Sequence, residues 1–233
     1  MISENSLVQS RPRLEILDGL RGVAAMIVVA FHLFETYSQG PSHQIINHGY
    51  LAVDFFFVLS GFVIGYAYDG RWSKGMTTGR FFLRRIVRLQ PMVVLGTLIG
   101  AFWFYFGDAP AFSLVAATPW WKVLIILLMA SFMFPTPPSM DIRGWQEINP
   151  LNGAQWSLLW EYIGNILYAV FIHRLSTKAL TVLVALLGIG LAGFTLFNVS
   201  GYDMIGVGWT LDGLNFLGGS LRMLFPFSLG MLL

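Results

Sequence analysis

The sequence predicts an all-α fold, a polytopic bundle of transmembrane helices, with about six or seven of them in these residues. Apolar residues make up 56% of the 233 residues and charged residues only 11%, against roughly 25% charged in a soluble domain. The mean hydropathy is +0.67, and windows almost free of charge recur at lengths that cross about 30 Å of hydrocarbon. Because a soluble fold could not bury so much apolar surface, we expect one integral-membrane domain over residues 1–233, lying in a lipid bilayer.

The apolar windows give the predicted spans in chain order. A polar leader, residues 1–13, precedes the first window, and no small-residue cleavage pattern follows it, so we expect a retained signal anchor. The window at 120–134 has about 15 residues, which fits a crossing or a re-entrant or surface segment, and we favour a crossing. A last window begins near Leu221 and is still apolar at Leu233, which predicts a domain that is incomplete at its C-terminal end. The full-length windows are 20–37, 49–67, 89–106, 156–172 and 179–199.

Basic residues cluster on one side of the predicted bundle. The first connection, 38–48, has no Lys or Arg. Six of the 14 Lys and Arg residues lie between the second and third spans, namely Arg71, Lys74, Arg80, Arg84, Arg85 and Arg88. Since basic residues favour the cytoplasmic side, the leader and this second connection are predicted inside and 38–48 outside. Arg174 and Lys178 fall outside if 120–134 crosses the bilayer, and inside if it does not.

Arg21 and His32 are ionisable residues within the first apolar window. The two residues are eleven positions apart, and at about 100° per residue the rotation between them is about 20° more than three full turns. Both side chains therefore share one helix face, about 16 Å apart along the axis. Each ionisable group at bilayer depth costs on the order of 3 kcal/mol. The pattern therefore indicates a polar site that faces the interior of the bundle.

Asp54 and Glu161 are the carboxylates predicted within later spans. His32 lies about five residues before the outer end of the first span and Asp54 about five after the start of the second, so an antiparallel hairpin brings them to similar depth. A carboxylate beside an imidazole fixes its tautomer and suits a general base, although a purely structural pair also fits. Glu161 shares a helix face with Ser157, four residues earlier, as Trp160 does with Trp156.

Arg85 and Arg88 are three residues apart at the inner end of the third span and face the same way. Guanidinium groups bind phosphate bidentately, which predicts a phosphate fork, and anionic lipid headgroups are an alternative partner. Glycines four residues apart, Gly61 with Gly65 and Gly96 with Gly100, predict close approach of helices.

Several classes of function are disfavoured by composition. The net charge of +2 is too small to indicate a nucleic-acid partner. The chain has no cysteine, so it has no disulfide or thiolate metal site, and we predict no metal site.

Five motifs follow one another along the chain: LDGLRG at 17–22, His32, VDFFFVLSGF at 53–62, RRIVR at 84–88, and WSL at 156–158 followed by Glu161. In this order they resemble the hallmarks of the acyltransferase 3 family of bacterial membrane O-acyltransferases. The resemblance covers residues 14 to about 170, and the segment at 221–230 is similar to a late helix of the family.

The resemblance implies a fold of about ten helices in the bacterial inner membrane. It implies transfer of an acyl group, commonly acetyl from acetyl-CoA, to a hydroxyl of a cell-surface or exported glycan or glycolipid, such as a polysaccharide or lipopolysaccharide. No permanently bound cofactor is expected, because acyl-CoA is a co-substrate. In the family, the spaced Arg and His match Arg21 and His32, and the paired arginines match Arg85 and Arg88.

We therefore expect direct transfer, in which His32 is the general base and Asp54 or Glu161 orients its imidazole. Arg85 and Arg88 would hold CoA phosphates. Arg21, paired with Asp18, would bind the donor phosphates or stabilise the thioester oxygen. A covalent acyl-His intermediate is a variant of this mechanism. The candidate substrate-binding residues are Asp18, Trp156 and Ser157.

Two other classes remain open. A proton-coupled transporter or flippase also uses buried His, Asp and Glu, but it should show paired interrupted helices in related halves, and no such repeat is visible. A non-catalytic membrane scaffold would leave His32, Asp54 and Glu161 unexplained. The sequence does not indicate an oligomeric state.

The predicted orientation is testable because the chain has no cysteine. Cysteines introduced as Ser42→Cys and Ser73→Cys lie in the predicted outer and inner connections. An impermeant thiol reagent applied to intact cells should label Ser42→Cys and not Ser73→Cys. Equal labelling of both, or labelling of Ser73→Cys alone, would contradict the orientation.

Overall fold

The computed structural model describes residues 14–38, 43–107 and 113–233 and confirms the all-α fold. The predicted leader at 1–13 and position 42 lie outside the described residues. The helices are α1 (Glu15–Thr36), α2 (Leu51–Trp72), α3 (Thr78–Phe106), α4 (Ser113–Ala117), α5 (Trp120–Ser131), α6 (Trp156–Val170), α7 (Thr177–Leu196) and α8 (Gly213–Leu232).

Four of the described helices are long and apolar enough to cross a membrane: α1, α2, α3 and α7. Helix α3 begins at Thr78, eleven residues before the window at 89–106, so Arg80, Arg84, Arg85 and Arg88 lie on the helix and not in a loop. Helix α6 has 15 residues, about 22 Å at 1.5 Å each, which is shorter than the hydrocarbon core.

The favoured crossing at 120–134 is wrong. Helix α5 has 12 residues and is therefore about 18 Å long, too short to cross about 30 Å. It ends against the middle of α3, where the Gln90 side chain donates to the Ser131 carbonyl. The chain then returns through 132–155, and Gln155 accepts from the Thr97 hydroxyl at 2.9 Å and donates to the Ala130 carbonyl at 2.9 Å. Of the two alternatives to a crossing, a re-entrant or a surface segment, these contacts with α3 favour the re-entrant one.

Side-chain partners make this re-entrant path possible. A backbone carbonyl exposed to hydrocarbon costs several kcal/mol, and Gln90 and Gln155 satisfy two carbonyls at the end of α5. Gln90 is held in turn by the Tyr162 hydroxyl, which donates to its side-chain oxygen at 2.8 Å.

The connections sort to two ends of the bundle. At one end, the Ile148 amide donates to the Trp209 carbonyl at 2.9 Å, and Tyr50 accepts from the Ile205 amide, so the segments before α2, α6 and α8 meet. At the other end, Trp72 donates to the Tyr168 hydroxyl, and His173 stacks on Trp72 at 4.2 Å. We call these the Tyr50 end and the Trp72 end. Arg71, Lys74, Arg174 and Lys178 lie at the Trp72 end.

Glycines allow the closest contacts. A Cβ at Gly61 would overlap the Phe227 carbonyl of α8, and one at Gly230 would overlap the Val58 carbonyl of α2, so the predicted close approach of a helix at Gly61 is confirmed. At Gly100 of α3 the close contact is instead with the Leu151 carbonyl of the re-entrant segment, which a Cβ would overlap. In the α7–α8 contact, a Cβ at Gly188 would lie 2.9 Å from the Phe225 ring.

A buried ion pair joins α2 to α8. Arg222 is 1% exposed, and its Nε and Nη2 donate to the two Asp54 oxygens at 3.1 and 2.6 Å. Its Nη1 donates to the Val207 carbonyl at 2.8 Å. The rings of Tyr50 and Trp156 lie 5.5 and 5.2 Å from the guanidinium. Asp54 is therefore bound by an arginine that the predicted pairing did not include.

Breaking this pair should destabilise the bundle strongly. Asp54→Leu leaves a buried guanidinium without its counter-charge, which costs about 3–5 kcal/mol, and should lower the thermal unfolding midpoint in detergent. The double variant Asp54→Leu/Arg222→Met removes both charges and should recover most of the loss. An unchanged midpoint for Asp54→Leu alone would contradict a structural role for the pair.

Candidate active site

Helices α1, α2, α3 and α6 and residues 152–155 surround a cavity of about 390 Å³. Five of the candidate site residues line it, from three helices distant in sequence, α1, α3 and α6: Arg21, Arg85, Arg88, Ser157 and Glu161. The cavity also contains Ser60 of α2. The structure thus brings together most of the charged residues that the sequence singled out.

Glu161 is held by two partners in this cavity. Its Oε1 accepts from Arg85 Nη2 at 2.6 Å and from the Ser60 hydroxyl at 2.8 Å. Arg85 is 3% exposed, so the ion pair offsets the cost of burying its charge. Glu161 therefore does not orient His32, and this part of the expected mechanism is corrected.

Arg85 and Arg88 differ in their surroundings, so they are not an equal fork. Arg88 is exposed, lines the cavity, and has no hydrogen-bond or ion-pair partner among the described residues. Arg21 lines the cavity from α1, and its Nη1 donates to Asp18 at 3.0 Å, as the sequence suggested. Asp18 thus acts on the cavity through Arg21. Arg21 and Arg88 are the guanidinium groups best placed to meet an anion.

One stripe of α2 gives the cavity its length. The lining residues of α2 follow helical spacing over ten residues, about 15 Å, and they are Val53, Phe56, Phe57, Ser60 and Val63. Arg85 marks one end through its link to Ser60 and Glu161. Asn152 lines the other end, where it packs against Gly96. The cavity therefore runs from the arginines towards the Tyr50 end of the bundle.

His32 lies beyond the far end of this cavity. Its neighbour Phe31 contacts the Tyr50 ring, with centroids 5.9 Å apart, and packs beside Gly49. His32 is therefore level with the start of α2, about one turn outward of Asp54. Its Nδ1 lies 3.0 Å from Glu35 Oε2. The expected pairing of His32 with Asp54 is wrong, because the structure pairs His32 with Glu35 and Asp54 with Arg222.

The two remaining candidates lie at the start of α6. The Ser157 hydroxyl donates to the Ala154 carbonyl at 3.0 Å, and the residue lines the cavity. Trp156 packs against the Arg222 guanidinium and does not line the cavity. The contact that the structure shows for Trp156 therefore stabilises the fold.

Sequence reasoning missed Glu35, Ser60 and Arg222. The three-residue spacing from His32 to Glu35 was a usable signal, because such pairs meet on a helix. Ser60 was visible within the family motif. Arg222 offered no local signal for its pairing, because its partner is 168 residues away.

Acidic residues of the connections have shifted pKa values. Burial raises the pKa of Glu147, and the charges of Asp141 and Glu35 add to this, whereas Arg143 opposes it. Asp141 is slightly desolvated, but backbone N–H groups donate to it and lower its pKa overall. In the part of the chain that the structure describes, no group of three or more His, Cys, Asp or Glu side chains could hold a metal ion.

A family model for an acyltransferase domain matches residues 14–233. Protein 2 in the picA locus of Rhizobium radiobacter is 34% identical over 183 residues, which are 76% of this chain and 91% of that protein. The peptidoglycan O-acetyltransferase OatA of Listeria monocytogenes is 30% identical over 141 residues, 55% of this chain and 21% of OatA. The acyltransferase MdmB of Streptomyces mycarofaciens is 30% identical over 172 residues, 71% of this chain and 41% of MdmB.

The chain therefore covers most of one relative and less than half of the other two. No solved structure matches it. The family model covers all of the described residues, and the resemblance found in the motifs is confirmed. The chain belongs to the acyltransferase family.

Proposed function

We propose that this protein is a membrane O-acyltransferase that moves an acyl group, acetyl in the simplest case, from acyl-CoA to a hydroxyl of a cell-surface or exported glycan. The observation that carries the proposal is the elongated cavity with Arg21, Arg85 and Arg88 in its lining. Its length and its direction towards His32 suit a long, anionic donor.

The arginine end of the cavity is the proposed site for the CoA phosphates. Arg88 is exposed and unpaired among the described residues, and Arg21 faces the same space. Guanidinium groups bind phosphate oxygens bidentately. Arg85 contributes positive charge from the buried side of the cavity while it stays paired with Glu161.

The apolar stripe of α2 is the proposed path of the pantetheine arm. Arg21 and His32 are about 16 Å apart along α1, and the stripe of α2 runs for a similar length. Phosphates at Arg21 and Arg88 would therefore leave the thioester near the far end of the cavity, one turn from His32. This spacing separates donor binding from proton transfer.

The proposed chemistry needs one base. The His32 imidazole takes the proton of the acceptor hydroxyl as that oxygen attacks the thioester carbonyl. The tetrahedral intermediate collapses, the C–S bond breaks, and the CoA thiolate leaves with the proton from the imidazolium. An acyl ester and free CoA are the products.

The acceptor and the membrane orientation belong to the same proposal. OatA is named as a peptidoglycan O-acetyltransferase, which supports a glycan hydroxyl as acceptor here. Basic residues at the Trp72 end support a cytoplasmic location for that end, so the donor would enter from the cytoplasm. The acceptor would then meet His32 at the opposite face of a bacterial inner membrane, with the N-terminus cytoplasmic.

A proton-coupled transporter is less well supported. Its relay would use Asp54 and Glu161, but each carboxylate is in an ion pair with a buried arginine. Both carboxylates therefore already serve contacts between helices, Asp54 between α2 and α8 and Glu161 between α6 and α3.

The first test measures donor binding. Arg88→Lys keeps the charge and the topology signal but loses the planar fork, so the acetyl-CoA dissociation constant of the purified protein should rise about tenfold or more. Arg84→Lys is the matched control, because Arg84 is exposed and does not line the cavity. No acetyl-CoA binding by the wild-type protein, or equal affinity in Arg88→Lys and the wild type, would argue against this donor site.

The second test separates binding from chemistry. His32→Gln should lower acetyl transfer by about 100-fold or more, because a general base is lost. The acetyl-CoA dissociation constant and the amount of protein in the membrane should stay near wild type, since His32 lies beyond the arginine end. Transfer at the wild-type rate would exclude His32 from the reaction.

A further inference from the structure

Glu35 is the carboxylate that the structure places against His32. The two residues lie three apart on α1, and the Nδ1 to Oε2 distance is 3.0 Å. The side chains are 52% and 35% exposed, respectively. Both therefore remain accessible at the Tyr50 end, where the cavity points.

The position of Glu35 is unfavourable for an acid. It lies in the last turn of α1, where the unpaired carbonyls give the helix a partial negative charge. No basic residue occupies that turn. A carboxylate here therefore destabilises the helix, and an exposed ion pair with His32 contributes little to the free energy of folding.

A second carboxylate faces the same region. The charge of Glu35 contributes to the raised pKa of Glu147, a largely buried residue of the re-entrant segment that binds Arg143 at 3.0 Å. Glu35 thus lies close to another acid as well as to the helix terminus. Stability alone does not explain an acid at this position.

We infer that Glu35 is the positioning residue of His32, fixing the neutral imidazole with its proton on Nδ1 so that Nε2 accepts the proton of the acceptor hydroxyl. The inference rests on the proposed function and replaces the orienting roles first expected of Asp54 and Glu161. A carboxylate on Nδ1 sets the tautomer and ring orientation and stabilises the imidazolium that forms during proton transfer. Glu35 itself exchanges no proton with the substrate.

Other titratable and charged groups also reach this end of the bundle. They come from the segment before α2, from the start of α2, from the re-entrant segment and from α8, and they are His43, His48, Tyr50, Asp141, Arg143, Glu147 and Arg222. Of these, Glu147 is the acid whose charge interacts with Glu35, so a Glu147→Gln variant is measured in parallel.

The first experiment measures the chemical reactivity of His32 directly and does not require enzymatic activity. Diethyl pyrocarbonate modifies neutral imidazole, and peptide mass spectrometry resolves His32 from the other three histidines of the chain. In Glu35→Gln the amide still accepts from Nδ1 but has no charge, so modification of His32 should extend to lower pH than in the wild type. Glu15→Gln, at the other end of α1, removes the same charge and should match the wild type.

The second arm reads catalysis in the purified full chain, with acetyl-CoA as donor and an N-acetylglucosamine oligosaccharide as probe acceptor. Glu35→Ala should lower kcat about tenfold or more and leave KM for acetyl-CoA unchanged. Glu35→Gln should lose less and should move the acidic limb of the rate profile to lower pH. In a His32→Gln background, Glu35→Ala should add no further loss, because the two residues act as a unit.

An unchanged modification profile in Glu35→Gln would overturn the inference, and so would a wild-type kcat in both Glu35 variants. A profile that shifts only in Glu147→Gln would assign the effect to the re-entrant segment and likewise overturn it. If His32 modification shifts as expected while the wild-type chain binds no acetyl-CoA, the pair stands and the proposed function fails.

Discussion

A guanidinium surrounded by hydrocarbon must carry its counter-charge with it, and the bundle is arranged around two such pairs. Arg222 with Asp54 joins α8 to α2, and Arg85 with Glu161 joins α3 to α6. Each pair also recruits neutral partners, the Val207 carbonyl in one and the Ser60 hydroxyl in the other. These polar contacts fix which helix faces meet, a choice that apolar side chains in lipid specify only weakly.

The two pairs differ in what they leave accessible. The Arg222 guanidinium is covered by the rings of Tyr50 and Trp156 and does not line the cavity. Its ion pair therefore orders the Tyr50 end of the bundle. The Arg85 pair borders the cavity, where Arg88 remains exposed on the next turn of the same helix. One pair therefore supports the architecture and the other supports the proposed donor site.

The sequence predicted the fold class, the spans at α1, α2, α3 and α7, and the presence of Arg21, Arg85, Arg88, Ser157 and Glu161 in one site. These features depend on composition and on spacing within a helix, which are local. The full-length window at 156–172 corresponds to α6, which has only 15 residues. Sequence reasoning failed for the partner of Asp54 and for the segment at 120–134. The Asp54 partner is set by packing across 168 residues, and the end of α5 is set by Gln90 and Gln155, whose hydrogen bonds appear only after folding. Glu35 lies within the first apolar window, three residues from His32, so its pairing with His32 was predictable from local spacing.

The glycine contacts have a consequence for how this chain can vary through evolution. Gly61, Gly100 and Gly230 each face a carbonyl of another segment, and no substitution on the partner removes a main-chain oxygen. Gly188 faces the Phe225 ring, so a smaller residue at 225 would accommodate a larger one at 188. Among homologues, the first three positions should therefore be invariant without covariation, whereas 188 and 225 should change together.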